Sequence, residues 1–284
     1  MFTRVLGRTG AELSVVGFGG IICMNATSEE CDRNIGMAIE RGINYFDVAP
    51  SYGNAEVMMG PALEPYRKNI FLACKTGRRD KEGAWEELQT SLLRLRTDYF
   101  DLYQLHGMTN LEEVDTIFAP GGAMETLIEA RRQGLVRWLG FSAHSDEAAI
   151  ALMNRFNFDT ILFPWNWVTW NKGNFGKDTL ATARAKGLGR LALKALAKRK
   201  WAEGEERKWS KTWYSPVDTK EEAALGLRFT LSKPITAITS PGHAEFLWWA
   251  CDAADNFKPL SAEEEAMLAK KAESLDPIFV SEHH

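Results

Sequence analysis

Residues 70–106 read IFLACKTGRRDKEGAWEELQTSLLRLRTDYFDLYQLH, and this stretch decides the fold. Its two ends, IFLACK (70–75) and YFDLYQLH (99–106), are almost continuously apolar, as expected of strands that are buried on both faces. Between them the apolar residues lie on one helical stripe, formed by Trp85, Leu88, Leu92 and Leu95. The stretch therefore predicts a strand, a helix and a second strand, which is the repeating unit of a parallel sheet.

The same alternation continues in both directions along the chain. Six further runs have the composition of buried strands: SVVGFG (14–19), INYFD (43–47), VRWLGFS (136–142), DTILF (159–163), RLALK (190–194) and ITAITS (235–240). Capping-box spacing marks three helix starts, at Thr27 with Glu30, Thr219 with Glu222, and Ser261 with Glu264. Eight strands in 284 residues give about 35 residues per repeat, the size of one strand and one helix in a barrel.

The predicted fold class is therefore α/β, a closed (β/α)8 TIM barrel, with residues 1–284 forming one domain. A short N-terminal hairpin is expected around Arg8, Thr9 and Gly10, and residues 195–218 are expected to form a long loop at the active-site end. The alternative is an open, doubly wound sheet. Its phosphate-binding signature is missing, because Gly17-Phe18-Gly19-Gly20 does not form G-x-G-x-x-G and the chain has no Walker loop.

Composition excludes several classes of protein. The formal charge is −4 with 25% charged and 45% hydrophobic residues, so neither a nucleic-acid partner nor disorder is indicated. No run is apolar enough to predict a signal peptide or a membrane helix. Four dispersed cysteines without a CxxC pair favour a reducing compartment, so a cytoplasmic protein is expected. The terminal His283-His284 is interpreted as the remnant of an affinity tag rather than as a metal site.

Polar side chains follow three neighbouring predicted strands where each one ends. Asp47 and Tyr52 follow the second strand, Lys75 ends the third and His106 ends the fourth. In a barrel these ends meet at one mouth. There we expect Lys75 to lower the pKa of Tyr52, Asp47 to hold Lys75, and His106 to orient a carbonyl.

This set contains neither a nucleophile nor a redox group of its own. No G-x-S-x-G elbow is present, and a cluster with one histidine is a weak ligand set for a metal, so no metal site is expected. A proton donor that faces a carbonyl, with hydride from a bound cofactor, fits the four residues best.

In the segments around these four residues, and in others along the sequence, the chain resembles the aldo-keto reductase family. The matching segments are LGRTGAELSVVGFGG (6–20), GINYFDVAPSYG (42–53), ACKTG (73–77), DLYQLHG (101–107), GLVRWLGFSAHS (134–145) and ITAITSPG (235–242). The resemblance implies the same barrel and an NAD(P)-dependent reduction of an aldehyde or ketone (EC 1.1.1 type). It makes Tyr52 the general acid, with Asp47, Lys75 and His106 as its partners. It also implies cofactor contacts from Gly19, Gly20, Asp47, Ser142, Lys194, Gly242 and His243.

The chain departs from the family pattern around the cofactor. The usual Ser-Asn pair is replaced by Ser142-Ala143, the usual glutamine of strand six by Leu162, and the stacking ring of strand seven by Leu193. The arginine that binds the 2′-phosphate of NADP is missing after Gly242. The resemblance leaves both NADP and NAD as candidate cofactors, and it favours NADP because the family commonly uses it. Basic residues at Lys194, Lys198, Arg199 and Lys200 are expected either to clamp a phosphate or to be a solvated loop.

The expected partner is a small-molecule carbonyl substrate, and a carbohydrate is one option. Aromatic platforms for a sugar are suggested by six tryptophans near the predicted mouth: Trp165, Trp167, Trp170, Trp201, Trp209 and Trp213. Simple packing of the loops is the other explanation. Two alternative functions stay open, a sugar epimerase or dehydrogenase that retains its cofactor and a non-enzymatic cofactor sensor on the same fold. No oligomeric state is inferred.

Overall fold

The computed structural model describes residues 1–281, so the interpreted tag at His283-His284 lies outside the described residues. The strands are β1 (Thr3–Val5), β2 (Glu12–Ser14), β3 (Val16–Gly19), β4 (Tyr45–Asp47), β5 (Phe71–Thr76), β6 (Phe100–Met108), β7 (Val136–Ala143), β8 (Thr160–Phe163), β9 (Gly189–Ala192), β10 (Ala197–Arg199), β11 (Ser215–Pro216) and β12 (Ala237–Thr239). The α-helices are α1 (Ser28–Glu40), α2 (Ala55–Leu63), α3 (Lys81–Arg94), α4 (Leu111–Phe118), α5 (Ala123–Arg132), α6 (Asp146–Arg155), α7 (Trp167–Asn171), α8 (Lys177–Ala185), α9 (Lys220–Ser232), α10 (Ala244–Asp255) and α11 (Ala262–Ala272).

Eight of these strands close into a parallel barrel in the order β12, β3, β4, β5, β6, β7, β8, β9. The predicted (β/α)8 barrel is therefore confirmed, and each of the eight apolar runs overlaps one barrel strand. Register places Asp47 beside Ala73, and Lys75 beside Gln104. The side chains that the sequence placed at strand ends therefore lie on adjacent strands at the same end of the barrel.

The N-terminal hairpin is formed by β1 and β2, as predicted. Leu6 and Leu13 from this segment are fully buried. They pack into a cluster with inward-facing barrel residues that include Tyr45, Phe71 and Leu102. The hairpin thus fills the end of the barrel interior with apolar side chains, which stabilises the fold from the end opposite the predicted mouth.

The predicted helix caps form, with one difference. Thr27 with Glu30 and Ser261 with Glu264 make complete capping boxes. Thr219 accepts the backbone N–H of Glu222, but the Glu222 carboxylate binds other groups, among them the ammonium of Lys198. The Glu222 carboxylate also accepts the backbone N–H of Asp218, one residue before the cap, so the second half of this box is replaced by contacts to the long loop.

The long loop predicted at 195–218 contains a short antiparallel ribbon, formed by β10 and β11. It follows β9, so it emerges at the carboxyl end of the barrel, where active-site loops are expected. In the described residues, no helix has both the length and the apolar character needed to cross a membrane.

Helix α2 packs closely against the end of α3 at Gly60. A Cβ atom added to Gly60 would lie 2.1 Å from the carbonyl oxygen of Arg94. We expect Gly60→Ala to lower the free energy of unfolding by about 1–3 kcal/mol, because the backbone must shift to relieve that contact.

Gly36 in α1 is the matched control, because an added Cβ there meets no heavy atom within 4 Å. Gly36→Ala should raise the free energy of unfolding by about 0.5–1 kcal/mol through helix propensity alone. Urea denaturation measures both variants. Equal effects of the two substitutions would contradict the close approach of α2 to α3.

Candidate active site

A cavity of about 240 Å³ opens at the carboxyl ends of the barrel strands. All four residues of the predicted catalytic set line it, namely Asp47, Tyr52, Lys75 and His106. Loop residues Trp213 and Tyr214 form part of another wall, and Leu162 and Leu193 supply apolar surface. The topology therefore brings the four predicted side chains to one pocket.

Lys75 and Asp47 form a buried ion pair at the base of this cavity. Their side chains are 1% and 4% exposed, and the Lys75 ammonium donates to Asp47 Oδ1. The ammonium also donates to the carbonyl oxygen of Val48 at 3.2 Å. Burial alone would lower the pKa of Lys75, but the charges of Asp47 and Tyr52 and the hydrogen bond to Asp47 together outweigh burial and raise this pKa above its usual value. Lys75 is therefore a fixed positive charge.

Two neighbours of Asp47 were not predicted from the sequence. Gln104 Nε2 donates to Asp47 Oδ2 at 3.2 Å, and the hydroxyl of Tyr45 donates to the same oxygen at 3.4 Å. Strand alternation contains the signal, since Tyr45 lies two residues before Asp47 and Gln104 lies two residues before His106. These donors fix the carboxylate that in turn holds Lys75.

Tyr52 lies in the turn between β4 and α2. Its hydroxyl is 3.5 Å from the Lys75 ammonium. The turn is anchored by Glu56, whose carboxylate is 1% exposed and accepts hydrogen bonds from Ser91 Oγ at 2.6 Å and from Arg94 at 3.2 Å. Helix α2, and with it the turn that presents Tyr52, is thereby tied to α3.

The ionisation of Tyr52 differs from the sequence expectation. Burial raises the pKa of Tyr52, and the opposing positive charge of Lys75 does not overcome burial. Lys75 does act to lower this pKa, as expected, but the net pKa lies above its usual value because burial is the larger effect. The phenol therefore keeps its proton at neutral pH, which is the state that a proton donor requires.

His106 lies at an irregularity of β6 rather than at the strand end. The pairing of β6 with β7 shifts register between Leu105 and Met108, and Gly107 has a φ of 65°. The N–H of Gly107 donates to Ser142 Oγ at 2.7 Å, which fixes the bulge. The bulge sets the imidazole against Tyr52, with ring centroids 5.8 Å apart and an interplanar angle of 83°.

Burial, together with the charges of Lys75 and Lys194, lowers the pKa of His106 to about 3. The imidazole is therefore neutral near pH 7, so it acts as a hydrogen-bonding group and not as a cation. Its Nδ1 atom lies 3.4 Å from Ser51 Oγ.

Of the seven residues predicted to contact a cofactor, four line the cavity and three do not. Ser142, Lys194 and Gly242 line the cavity, as does Asp47. Gly19 and Gly20 are packed beneath the cavity wall, where added Cβ atoms would lie 2.3 Å from the Ser240 carbonyl oxygen and 2.9 Å from that of Asp47, respectively. His243 is next to the cavity and accepts the N–H of Lys211.

The ion pairs of the basic run after β9 decide between its two predicted roles, a phosphate clamp and a solvated loop. Lys198 binds Asp218 and Glu222, Arg199 binds Glu205, and Lys200 approaches Asp276. These three cations pair with carboxylates and do not line the cavity. By contrast, no ion pair with a carboxylate is formed within residues 1–281 by Lys194 or by Lys211, which also lines the cavity and had not been predicted.

Most of the predicted tryptophan platforms are packing groups. Trp165 and Trp167 are 1% and 2% exposed and lie in the core. Trp209 packs against His243 and Phe246. Trp213 is the one member of the predicted six that lines the cavity, among the residues that the structure describes, and it is 52% exposed.

Comparison with known proteins now identifies the relatives of this chain. A model of the aldo/keto reductase family matches residues 17–231. The chain belongs to the aldo/keto reductase family. The resemblance seen in the sequence motifs is thereby confirmed.

Individual relatives agree with this membership. The chain is 32% identical over 183 residues to the uncharacterized oxidoreductase YqkF of Bacillus subtilis. This matched region covers 58% of this chain and 56% of that protein. It is 26% identical over 211 residues to the L-galactose dehydrogenase of Arabidopsis thaliana. The matched region covers 68% of this chain and 65% of that protein. The holo form of aldo-keto reductase AKR11C1 from Bacillus halodurans superposes with a TM-score of 0.76 at 25% identity, covering 100% of this chain and 99% of that one. The chain thus spans about half to two thirds of the length of these curated relatives.

The neutral, partly buried state of His106 has a consequence for stability. In the unfolded chain this imidazole takes up a proton below about pH 6.5, whereas in the folded chain it does so only near pH 3. The unfolded state therefore binds more protons between these values, and folding stability falls as the pH falls. From about pH 6.5 to about pH 5 we expect His106 to account for a loss of about 1.5 kcal/mol.

Urea denaturation at the two pH values measures this loss, with His106→Asn as the comparison. The variant should show a smaller loss than the unmodified chain, because asparagine does not titrate. Equal losses in the two proteins would contradict a neutral His106.

Proposed function

We propose that this protein is a nicotinamide-dependent carbonyl reductase, an EC 1.1.1 type enzyme that converts an aldehyde or ketone into an alcohol. One observation carries the proposal: the Tyr52 hydroxyl lies 3.5 Å from the ammonium of a buried Lys75–Asp47 pair, in the same cavity as a neutral His106. Membership of the aldo/keto reductase family supports it.

In the proposed reaction Tyr52 donates its proton to the carbonyl oxygen. The phenol is protonated at neutral pH because burial raises its pKa. As the proton leaves, negative charge develops on the Tyr52 oxygen, and the fixed charge of Lys75 stabilises it. Asp47 holds the ammonium in place, and Gln104 and Tyr45 hold Asp47.

His106 orients the carbonyl in this proposal. Its ring lies edge-on to Tyr52, so an oxygen that accepts the phenolic proton lies within reach of the imidazole. Because the imidazole is neutral, it positions the oxygen through a hydrogen bond and leaves the proton transfer to Tyr52.

The donor set of the cavity fits a dinucleotide cofactor. Two lysines, Lys194 and Lys211, lie in its wall without a carboxylate partner among residues 1–281. Asp47, the one carboxylate lining the described cavity, is already paired with Lys75. The uncompensated positive charge of Lys211 suits a phosphate of NAD or NADP. When bound, a nicotinamide dinucleotide supplies the hydride.

The substrate class is a small carbonyl compound, and a sugar is included in the proposal. The similarity to an L-galactose dehydrogenase supports testing sugars. Among residues 1–281, Trp213 is the one tryptophan that lines the cavity, and its ring is the face available to a sugar.

Removing the phenolic proton tests the catalytic assignment. We expect Tyr52→Phe to lower kcat about 10²- to 10⁴-fold, because a positioned proton donor contributes that much. The affinity for NADPH, measured by tryptophan fluorescence, should change by less than about twofold, since the ring is kept.

Tyr66→Phe is the matched control, because Tyr66 packs against the core away from the cavity lining. It should retain kcat. Turnover of Tyr52→Phe at the rate of the unmodified protein would overturn the role of Tyr52.

A second experiment separates the cations that face the cofactor from those that do not. Lys211 lines the cavity, and its ammonium donates to the carbonyl oxygen of Ile22. We expect Lys211→Met to raise the Kd of NADPH about tenfold, which corresponds to about 1.4 kcal/mol and is typical of one charge-assisted contact.

Lys198→Met is the control and should leave that Kd unchanged, because Lys198 is already paired with Asp218 and Glu222. Titrating NADH in parallel shows which phosphate is contacted. A loss for NADPH alone indicates the 2′-phosphate, and an equal loss for both cofactors indicates the pyrophosphate. A larger effect of Lys198→Met than of Lys211→Met would contradict the assignment.

A further inference from the structure

Lys194 is a charged side chain in the cavity that the proton transfer does not use. It follows β9 and has a φ of 60°, a left-handed conformation that non-glycine residues seldom adopt. Such a backbone costs about 1–3 kcal/mol and persists where the surroundings fix it, often at ligand sites.

The ammonium of Lys194 is enclosed by rings and lacks an opposite charge. Its Nζ atom lies 3.1 Å from His144 Nε2, 5.5 Å from the ring centroid of Trp213 and 5.6 Å from that of Phe279. The His144 ring stacks on Phe279, with centroids 5.1 Å apart. The C-terminal segment and the loop after β9 therefore build one box around this nitrogen.

Electrostatics in the box favour an incoming anion. Burial and the charge of Lys75 lower the pKa of Lys194 to about 7, and burial and Lys194 lower the pKa of His144 well below its usual value. A partly buried cation that has only neutral and cationic neighbours is costly until an anion compensates it. The neutral imidazole adds a hydrogen-bonding group beside the ammonium.

The position of Lys194 connects this box to the reacting carbonyl. The charge of Lys194 is close enough to help lower the pKa of His106. Lys211, by contrast, packs against Gly242, where an added Cβ would lie 2.8 Å from the Lys211 Cβ atom. The two uncompensated lysines therefore serve different parts of the cavity, and Lys194 is the one beside the proposed carbonyl position.

We propose that Lys194 and His144 form a subsite for an anionic group of the substrate, a carboxylate or a phosphate carried by the same small molecule as the carbonyl. This inference rests on the proposed function, since it names the substrate class of that site. It narrows the substrates to charged aldehydes and ketones, such as semialdehyde acids and sugar phosphates.

Matched pairs of substrates that differ in charge test the proposal. The pairs are 4-oxobutanoate with butanal, and dihydroxyacetone phosphate with dihydroxyacetone. The unmodified enzyme should prefer at least one anionic member about tenfold or more in kcat/KM. Lys194→Met should abolish that preference through KM, so that the charged and the neutral member of each pair have similar kcat/KM.

Conservative variants separate recognition from folding. Lys194→Arg should restore part of the preference, because it keeps the positive charge, and His144→Phe should weaken the preference while it keeps a ring against Phe279. Thermal unfolding checks that each variant is folded. Equal kcat/KM for the charged and neutral members of both pairs in the unmodified enzyme would overturn the proposal.

The cofactor phosphates are the other source of the same anionic chemistry. Fluorescence titration of NADPH and NADH distinguishes them. If Lys194→Met weakens both cofactors and leaves the substrate preference intact, the subsite belongs to the cofactor and the proposal is wrong.

A binding measurement keeps the proposal testable if the enzyme reduces none of the four carbonyls. With NADPH present, 4-hydroxybutanoate should change the fluorescence of the unmodified protein, and the Lys194→Met variant should lose this response. 1-Butanol should give no response in either protein. Absence of turnover with this binding pattern would contradict the reductase function and support the anion subsite, whereas absence of the pattern would overturn the subsite.

Discussion

The buried ion pair of Lys75 and Asp47 is the interaction on which the rest of the cavity depends. Removing two charges from water costs several kcal/mol per ion, and mutual attraction offsets this cost only when further hydrogen bonds satisfy both groups. The structure supplies these bonds from two strands and one turn, through Tyr45, Gln104 and the Val48 carbonyl. A network with so many fixed partners leaves the ammonium one position, and Tyr52 is within reach of it.

Closure of the barrel is what brings these groups together. Asp47 and Lys75 are inward-facing residues of adjacent parallel strands, and Gln104 pairs in register with Lys75. A parallel barrel places all strand ends at one mouth, so residues separated by dozens of positions in the chain become neighbours. His106 needs one further device. The bulge fixed by Gly107 and Ser142 turns its ring toward Tyr52.

Much of this architecture can be predicted from the sequence, and the limits have physical reasons. The eight strands are marked by apolar runs and the helix starts by caps, because both signals are local. Trp165 lies in the core, so it is a packing group and not a platform; the sequence left both options open, since composition does not tell which way a loop residue packs. The pairing of His144 with Lys194 joins residues fifty positions apart, and no spacing rule connects them.

The raised pKa of Tyr52 depends on burial, which the neighbouring sequence does not reveal, and it clarifies the role of Lys75. A nearby cation lowers the pKa of a phenol, but the sequence does not show how far the Tyr52 side chain is removed from water, and this desolvation dominates. The phenol is therefore not activated in advance. In the proposed reaction this proton is retained until a carbonyl oxygen accepts it, and only then does negative charge appear beside the ammonium. A fixed cation that interacts with the charge of the transition state, and little with the neutral ground state, favours the reaction more than one that ionises the tyrosine beforehand.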